Sequence, residues 1–277
     1  MIVFESVTYI YPGGRAALHD ISVEIGPGQL VAIVGPNGAG KTTFIKHING
    51  LLKPTSGVVR VFGVDTRYST AARLSRRVGI VFQNPDHQLF SQSVEEEVAF
   101  ALRNFGFSQQ AIRERVEWAL DEFDLSRYRG EPPFSLSGGE KKRLCLACVL
   151  AWDPDVIILD EPTTGQDSRH KESLAQRVNM LVSQGKTVIL VSHDMEFLWP
   201  LQPRLLVLHQ GRLVFDGPTT DFFSQDLRAR DYSLVEPQLV QLWKGLVFRP
   251  DRPFPNTLAA RDWLLSRVEV ARGAPPR

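Results

Sequence analysis

The chain has 277 residues, of which 43% are apolar and 23% are charged, proportions that are typical of a globular protein. The net charge of +1 argues against binding of nucleic acid through a general basic excess. Its 2 cysteines are too few for a disulfide framework and fit a reducing compartment. No apolar run approaches the ~20 residues that cross a bilayer, and the first residues lack a signal-peptide pattern. We therefore expect a soluble cytosolic protein.

Short apolar runs alternate with longer helical patterns along the chain, which predicts an α/β fold. The runs Leu30–Val34, Val156–Leu159 and Thr187–Val191 are nearly continuous, as in strands of a parallel sheet that is buried on both faces. Residues 1–25 alternate in polarity, which predicts an antiparallel flank with one exposed face. A hairpin with its turn at Gln210-Gly211 is expected within residues 209–217.

The strand pattern disappears between residues 84 and 136, where two helices are predicted. The first opens at Ser93 with a capping-box pattern and runs to about Phe105, and the second runs from about Gln109 to Phe123. After Pro218 the sequence becomes richer in proline. The predicted division is an α/β core of residues 1–83 and 137–217, an inserted helical subdomain of residues 84–136, and a C-terminal extension of residues 218–277.

Residues 35–42 match the pattern GxxxxGK[ST], which lies between a predicted strand and a predicted helix. Glycines allow backbone N–H groups to surround phosphate oxygens, and the helix N-terminus adds partial positive charge. Lys41 would reach the β- and γ-phosphates of ATP, and Thr42 would place its hydroxyl on Mg²⁺. The candidate phosphate-binding residues are Gly35, Pro36, Asn37, Gly38, Ala39, Gly40, Lys41, Thr42 and Thr43.

Two carboxylates follow the apolar strand that begins at Val156. Burial of adjacent acids is costly unless another charge compensates them, and a magnesium nucleotide would do so. Asp160 is therefore a candidate Mg²⁺ ligand, and Glu161 a candidate general base that polarises the attacking water.

A third motif, Leu136-Ser137-Gly138-Gly139-Glu140, precedes a helix that is predicted over Lys141–Ala151. Its N-terminus would be a second anion-binding helix end. With the two motifs above, this segment resembles the signature of ATP-binding-cassette (ABC) ATPases. The resemblance implies a P-loop NTPase core in which Ser137, Gly138 and Gly139 of one protomer close over ATP held by the other.

The same resemblance implies roles for further single residues. Gln83 matches the glutamine that contacts Mg²⁺ and senses the γ-phosphate, and His193 matches the switch histidine. Tyr11 resembles the aromatic residue that stacks on adenine, and Tyr9 is the alternative. Asp167 matches the aspartate of the loop that crosses the dimer interface.

Relatives usually carry leucine immediately before that aspartate, whereas this chain has Gln166. The difference leaves open whether the dimer is formed by two identical chains or with a paralogue.

Residues 82–90, followed by 93–100, resemble the ATPases of energy-coupling factor transporters, which import vitamins or cobalt and nickel ions. That branch implies a second ATPase protomer, a multi-spanning transmembrane coupling subunit, a separate substrate-binding membrane protein and no nucleic acid. It also implies a peripheral location at the cytoplasmic face of the cell membrane. Leu89 and Phe90 could form the dock for the membrane subunit or could fill the seam between core and insert.

Three other functions are compatible with parts of this pattern. The first is the ATPase of another ABC transporter, including an exporter. The second is a soluble ABC ATPase that acts on ribosomes or DNA, which usually has two cassettes or a long coiled coil. The third is a P-loop small-molecule kinase, which would need no signature motif.

Overall fold

The computed structural model describes residues 1–224 and 229–273, so residues 225–228 and 274–277 of the predicted C-terminal extension lie outside it. The strands are β1 (Ile2–Ile10), β2 (Ala16–Ile25), β3 (Leu30–Val34), β4 (Ser56–Val61), β5 (Val64–Asp65), β6 (Val78–Val81), β7 (Val156–Asp160), β8 (Thr187–Val191), β9 (Arg204–His209) and β10 (Arg212–Pro218). The helices are α1 (Lys41–Ile48), α2 (Ala71–Ser75), α3 (Val94–Asn104), α4 (Gln109–Glu122), α5 (Gly138–Leu150), α6 (Ser168–Ser183), α7 (Met195–Leu198), α8 (Thr219–Ser224), α9 (Gln238–Gly245) and α10 (Thr257–Gly273).

The central sheet has six strands in the order β10-β9-β3-β8-β7-β6. The four pairings from β9 to β6 are parallel, and β10 is antiparallel to β9. Alternate residues of these strands belong to two different core clusters, one on each face of the sheet. Burial on both faces explains why the strand sequences are continuously apolar, as predicted.

A second sheet, in the order β2-β1-β4-β5, is antiparallel throughout and forms the predicted flank. Its apolar face packs with α1 against one face of the central sheet. The hairpin β9–β10 turns at Gln210 and Gly211, whose φ angles are +48° and +74°. Positive φ at both central residues is the geometry that matches the twist of paired strands, and the predicted turn is confirmed.

Residues 84–136 contain α3 and α4, and no strand interrupts them. Ser93 caps α3 by accepting a hydrogen bond from the Glu96 amide at 3.2 Å, as its sequence pattern predicts. The predicted start of α5 was wrong, because that helix begins at Gly138 rather than at Lys141. Ser137 is its N-cap, and a reciprocal pair of hydrogen bonds with Glu140 makes the first turn helical.

The segment after Pro218 contributes to two cores. Phe222, Phe223 and Val240 are buried in the main cluster on one face of the central sheet. Trp243 and Phe254 form a smaller cluster with α10. None of the helices within the described residues combines the length and the apolar character that crossing a membrane would need.

Candidate active site

The loop between β3 and α1 is held so close to its neighbours that two positions admit only glycine. Gly35 has φ +140°, and a Cβ there would lie 2.0 Å from the Leu208 carbonyl oxygen. Gly40 has φ +102°, and a Cβ there would lie 2.5 Å from the Ala17 carbonyl oxygen. Gly40 is also the N-cap of α1, where no side chain caps the helix. The first amides of α1 are therefore available to an anion.

Lys41, the first residue of α1, is almost completely buried beneath this loop. Its Nζ donates hydrogen bonds to the carbonyl oxygens of Gly35 at 2.7 Å and Pro36 at 3.1 Å. Burial lowers the pKa of the Lys41 ammonium, while the nearby carboxylates of Glu161 and Asp160 act in the opposite direction. The lysine is thus a cation placed between the loop and two acids.

Those two acids stand at the end of β7, and both are buried. Burial, followed by the neighbouring charge of Glu161, raises the pKa of Asp160 to about 6, whereas a hydrogen bond with Thr42 acts to lower it. Within the described residues the buried Glu161 Oε2 has no hydrogen-bond partner. Buried carboxylate oxygens beside a threonine hydroxyl are the hard oxygen donors that Mg²⁺ prefers, so this donor set fits that ion.

Glu161 and His193 are brought together from the ends of adjacent strands β7 and β8. His193 Nδ1 lies 2.9 Å from each carboxylate oxygen, but the geometry of a hydrogen bond is met only with Oε1. Glu161 has φ +50°, an uncommon conformation for a residue other than glycine, and its amide donates to the Val191 carbonyl at 2.8 Å. The backbone at this strand end therefore aims the carboxylate toward His193.

These groups surround a cleft of about 470 Å³. Its lining residues are Tyr11, Arg15, Ala16, Ala17, Asn37, Gly38, Gly40, Lys41, Thr42, Thr43, Gln83, Asp160, Glu161 and His193. Most of the predicted site residues thus converge on one cleft. Tyr11 lines it and hydrogen-bonds through its hydroxyl to Thr43 Oγ1 at 3.0 Å, whereas Tyr9 is buried behind it. The structure therefore places Tyr11, and not Tyr9, where it can contact a ligand.

The sequence is similar to a known family and to several known proteins. The ABC transporter family profile matches residues 18–164. An ABC transporter ATP-binding protein of Pyrococcus furiosus is 43% identical over 258 residues, which cover 93% of this chain and 98% of that protein. The energy-coupling factor transporter ATP-binding protein EcfA of Methanothermobacter thermautotrophicus is 40% identical over 248 residues, 89% of this chain and 80% of that protein. The chain belongs to the ABC transporter ATP-binding proteins.

Solved structures of related proteins agree with the fold of this ABC ATPase. CbiO1 from Clostridium perfringens, described as part of the ABC transporter complex CbiONQ, has a TM-score of 0.73 and 34% identity, covering 88% of this chain and 98% of that one. The cassette MJ0796 was solved as a dimer in a post-hydrolysis state with ADP and phosphate. It has a TM-score of 0.72 and 30% identity, and the match covers 79% of this chain and 98% of that one. The α/β P-loop NTPase fold is confirmed, and so is an ATPase activity coupled to transport.

Seven predicted nucleotide-binding residues of this ABC ATPase are not among those that line the cleft. Gly35, Pro36 and Ala39 belong to the loop that borders the cleft, whereas the other four lie elsewhere in the chain. Ser137 and Gly138 are exposed at the start of α5 and Gly139 is half-buried, and a Cβ on either glycine would meet nothing within 4 Å. Asp167 caps α6, where it accepts hydrogen bonds from the His170 amide at 2.9 Å and from its ring Nδ1 at 2.8 Å. One copy of the chain does not bring these residues to its own cleft.

Arg15 and the neighbouring alanines 16 and 17 were not predicted as site residues, yet they line the cleft. They lie at the start of β2, and the packing of the phosphate loop against the Ala17 carbonyl places them there. A basic residue directly after the turn Gly13-Gly14 was the only sign of this role in the sequence.

Proposed function

We propose that this ABC ATPase is the ATP-hydrolysing subunit of an energy-coupling factor transporter that imports a micronutrient, either a vitamin or a cobalt or nickel ion. The observation that carries this proposal is the similarity of almost the whole chain to EcfA, together with the structural likeness to CbiO1. The pattern of residues 82–100 points to the same branch.

The cleft would hold ATP with its phosphates on the loop of residues 35–43 and its adenine beside Tyr11. Lys41, buried between loop and acids, would contact the β- and γ-phosphates. Thr42, Gln83 and Asp160 would hold Mg²⁺, which when bound would neutralise phosphate charge. The proximity of Thr42 to the buried Asp160 carboxyl supports this assignment.

Glu161 would act as the general base for hydrolysis. Its carboxylate lines the cleft, and its buried Oε2 has no donor in the described part of the chain. A water held beside the nucleotide would fill this free acceptor position and give up its proton there. The hydrogen bond from His193 Nδ1 to Oε1 would orient the carboxylate and leave its other oxygen toward the water. Lys41 would stabilise the charge that develops on the γ-phosphate.

A second ATPase protomer, identical or paralogous, would complete each site. The glycines at the start of α5 have open space around them, so no contact within the described chain requires glycine there. Both glycines would be explained if ATP bound to the partner protomer approaches the backbone closely at this point. Ser137, Gly138, Gly139 and Asp167 would then contribute to the partner's ATP, as the dimeric state of MJ0796 suggests by analogy.

The loop that follows Gln83 would dock the transmembrane coupling subunit. Leu89 is 2% exposed and fills the seam between core and insert, whereas Phe90 is 58% exposed. Phe90 forms an edge-to-face pair with Phe100, which is also exposed, at a centroid distance of 4.7 Å. Leu89 therefore fits the alternative in which it fills the seam, and Phe90 fits the alternative in which it docks another protein. The aromatic pair would anchor a helix of that protein.

The buried Glu97 holds this docking loop in place. Its Oε2 accepts hydrogen bonds from the amides of Phe90 at 2.8 Å and Ser91 at 2.7 Å. A carboxylate with two such donors fixes the loop relative to α3. Motion of the insert during an ATP cycle would thus move the aromatic pair.

The proposal includes the division into a core of residues 1–83 and 137–217, a helical insert of 84–136 and an extension of 218–277. It also places the ATPase at the cytoplasmic face of the cell membrane, beside the coupling subunit and a separate substrate-binding membrane protein.

Affinity purification of the tagged chain in mild detergent tests this function. We expect a multi-spanning membrane subunit and a small substrate-binding membrane protein to co-purify, and the latter would identify the imported compound class. A Phe90→Ser variant should lose both proteins while its own ATPase activity persists. Recovery of exporter subunits, or of ribosomal proteins, with the wild-type chain would overturn the importer assignment.

A further inference from the structure

Two adjacent lysines in the first turns of α5 each contact a different loop. Lys141 Nζ lies 2.8 Å from Asp86 Oδ1 in the loop after β6. Lys142 Nζ donates a hydrogen bond to the Thr164 carbonyl in the loop after β7. The start of α5, which carries the signature motif, is therefore connected to both loops by the polar contacts of two lysine side chains.

Each tied loop also carries a residue of the ATP cleft or of the proposed dimer contact. Asp86 follows Gln83 by three residues, and its amide donates to Asn84 Oδ1 at 3.0 Å within a tight turn. The Thr164 amide donates to the Glu161 carbonyl at 3.3 Å. Displacement of Lys141 would therefore shift the loop that follows Gln83, and displacement of Lys142 would shift the loop that follows Glu161.

Between the loops and the helix lies a cavity of about 440 Å³. Asn84 to Asp86, the two signature glycines, both lysines and residues 164–166 line it. Because the three segments border this space, the lysines are polar links across a gap rather than parts of a close-packed core.

We propose that Lys141 and Lys142 are positioning residues for ATP hydrolysis, which set the loops of Gln83 and Glu161 relative to the signature helix. This inference rests on the site roles proposed above. Closure of the signature over a partner's ATP moves α5, and the two lysines carry that motion to the γ-phosphate sensor and to the base at the same time. Neither lysine is a catalytic residue, since both act through other groups.

The ion pair of Lys141 is the one to test, because we expect its removal to leave the fold intact. The Asp86 side chain is 52% exposed, and a pair with one exposed partner adds little to the free energy of unfolding. A matched control exists in Lys186, which pairs with Asp153 at 2.6 Å; both lysine side chains are 17% exposed. Lys186 and Asp153 are absent from the lining of the ATP cleft.

The experiment measures steady-state ATP hydrolysis by the full chain for Lys141→Met, Asp86→Asn, Lys141→Arg and the exchanged pair Lys141→Asp with Asp86→Lys. We expect kcat to fall about threefold to tenfold in the first two variants with KM for ATP nearly unchanged. Arginine and the exchanged pair should restore most of the loss, and Lys186→Met should match the wild type. Thermal unfolding of every variant is measured alongside.

Wild-type kcat in Lys141→Met, or an equal loss in Lys186→Met, would overturn the inference. A loss that the exchanged pair does not restore would also overturn it, because charge pairing would then not be the cause. Glu161→Gln is assayed in the same series. If that variant hydrolyses ATP normally, the proposed site roles fail, which is a different outcome from failure of the lysine link alone.

Discussion

Glu161 combines three unusual properties at one residue: it is buried, its backbone is left-handed, and its carboxylate meets a histidine. Glutamine has the same shape but cannot accept a proton from water. We expect Glu161→Gln to bind ATP with near wild-type affinity and to lose turnover by about 100-fold or more, because only the proton transfer is removed. Phosphate release and nucleotide binding are measured on the same sample.

The exposed Glu172 of α6 provides the control for this variant, as Glu172→Gln should hydrolyse ATP at the wild-type rate. Undiminished phosphate release by Glu161→Gln would show that another group is the base.

The contribution of the Lys41 charge to ATP binding can be tested by one substitution. Its ammonium donates to two loop carbonyls, and its charge faces Asp160 and Glu161. Lys41→Ala removes this charge from the phosphate site, and we expect ATP affinity to fall about tenfold to 100-fold, the range for a lost charge-assisted contact. Titration with a fluorescent ATP analogue measures the change, and affinity equal to the wild type would remove the loop of residues 35–43 as the phosphate site.

At the scale of single elements, the cap of α5 gives a stability prediction with a defined pH dependence. Hydrogen bonds from Tyr128 and Ser137 lower the pKa of Glu140 from 4.5 to about 2. A folded pKa below the unfolded value means that the carboxylate stabilises the fold above pH ~4.5, and this contribution is lost as pH falls toward 2.

We therefore expect Glu140→Ala to lower the melting temperature at pH 7 by about 2–4 °C, the effect of losing a helix cap in a protein of this size. The difference from the wild type should shrink as pH falls from 4.5 toward 2. Thermal unfolding followed by circular dichroism across this range is the measurement. A difference that stays constant with pH would mean that ionisation of Glu140 does not matter.

The strands of the central sheet and the phosphate loop were predictable from the sequence, whereas the exact start of α5 was not. The strands of the central sheet were predictable because burial on both faces leaves a continuous apolar run, and the phosphate loop was predictable from its glycines and its Lys-Thr pair. The start of α5 lies three residues before the predicted one, because the capping box of Ser137 and Glu140 holds two glycines in the helix despite their low helix propensity.

Features that depend on packing between distant segments were out of reach. Arg15 reaches the cleft because β2 lies against the phosphate loop, and Leu89 is buried while Phe90 is exposed because of how the insert packs on the core. No local pattern encodes either relation. The proposed roles of the signature glycines and Asp167 need a second chain, so neither the sequence nor a single copy tests them.

At the scale of the molecule, the extension after Pro218 is only partly an appendage. Phe222 and Phe223 are fully buried in the main core, whereas α10 contributes mainly to the small cluster around Trp243. Truncation of one buried phenylalanine to alanine typically costs about 3–5 kcal/mol. Loss of both approaches the whole stability of a typical domain, about 5–15 kcal/mol.

We expect a chain that ends at Gly217 to be insoluble or unfolded, and a chain that ends at Asn256 to keep its fold and its ATP binding. Soluble yield, circular dichroism and ATP binding of the two truncated chains distinguish these outcomes. A well-folded chain ending at Gly217 would contradict the assignment of the two phenylalanines to the main core.

The strand that leads into the phosphate loop has its partners far along the chain. Leu30 of β3 pairs with Val188 of β8, and Val31 pairs with Arg204 of β9. During synthesis, β3 leaves the ribosome early and waits for both neighbours before its sheet can assemble. We therefore expect the phosphate loop to reach its final position only after β9 has been synthesised, so that shorter nascent chains bind ATP weakly.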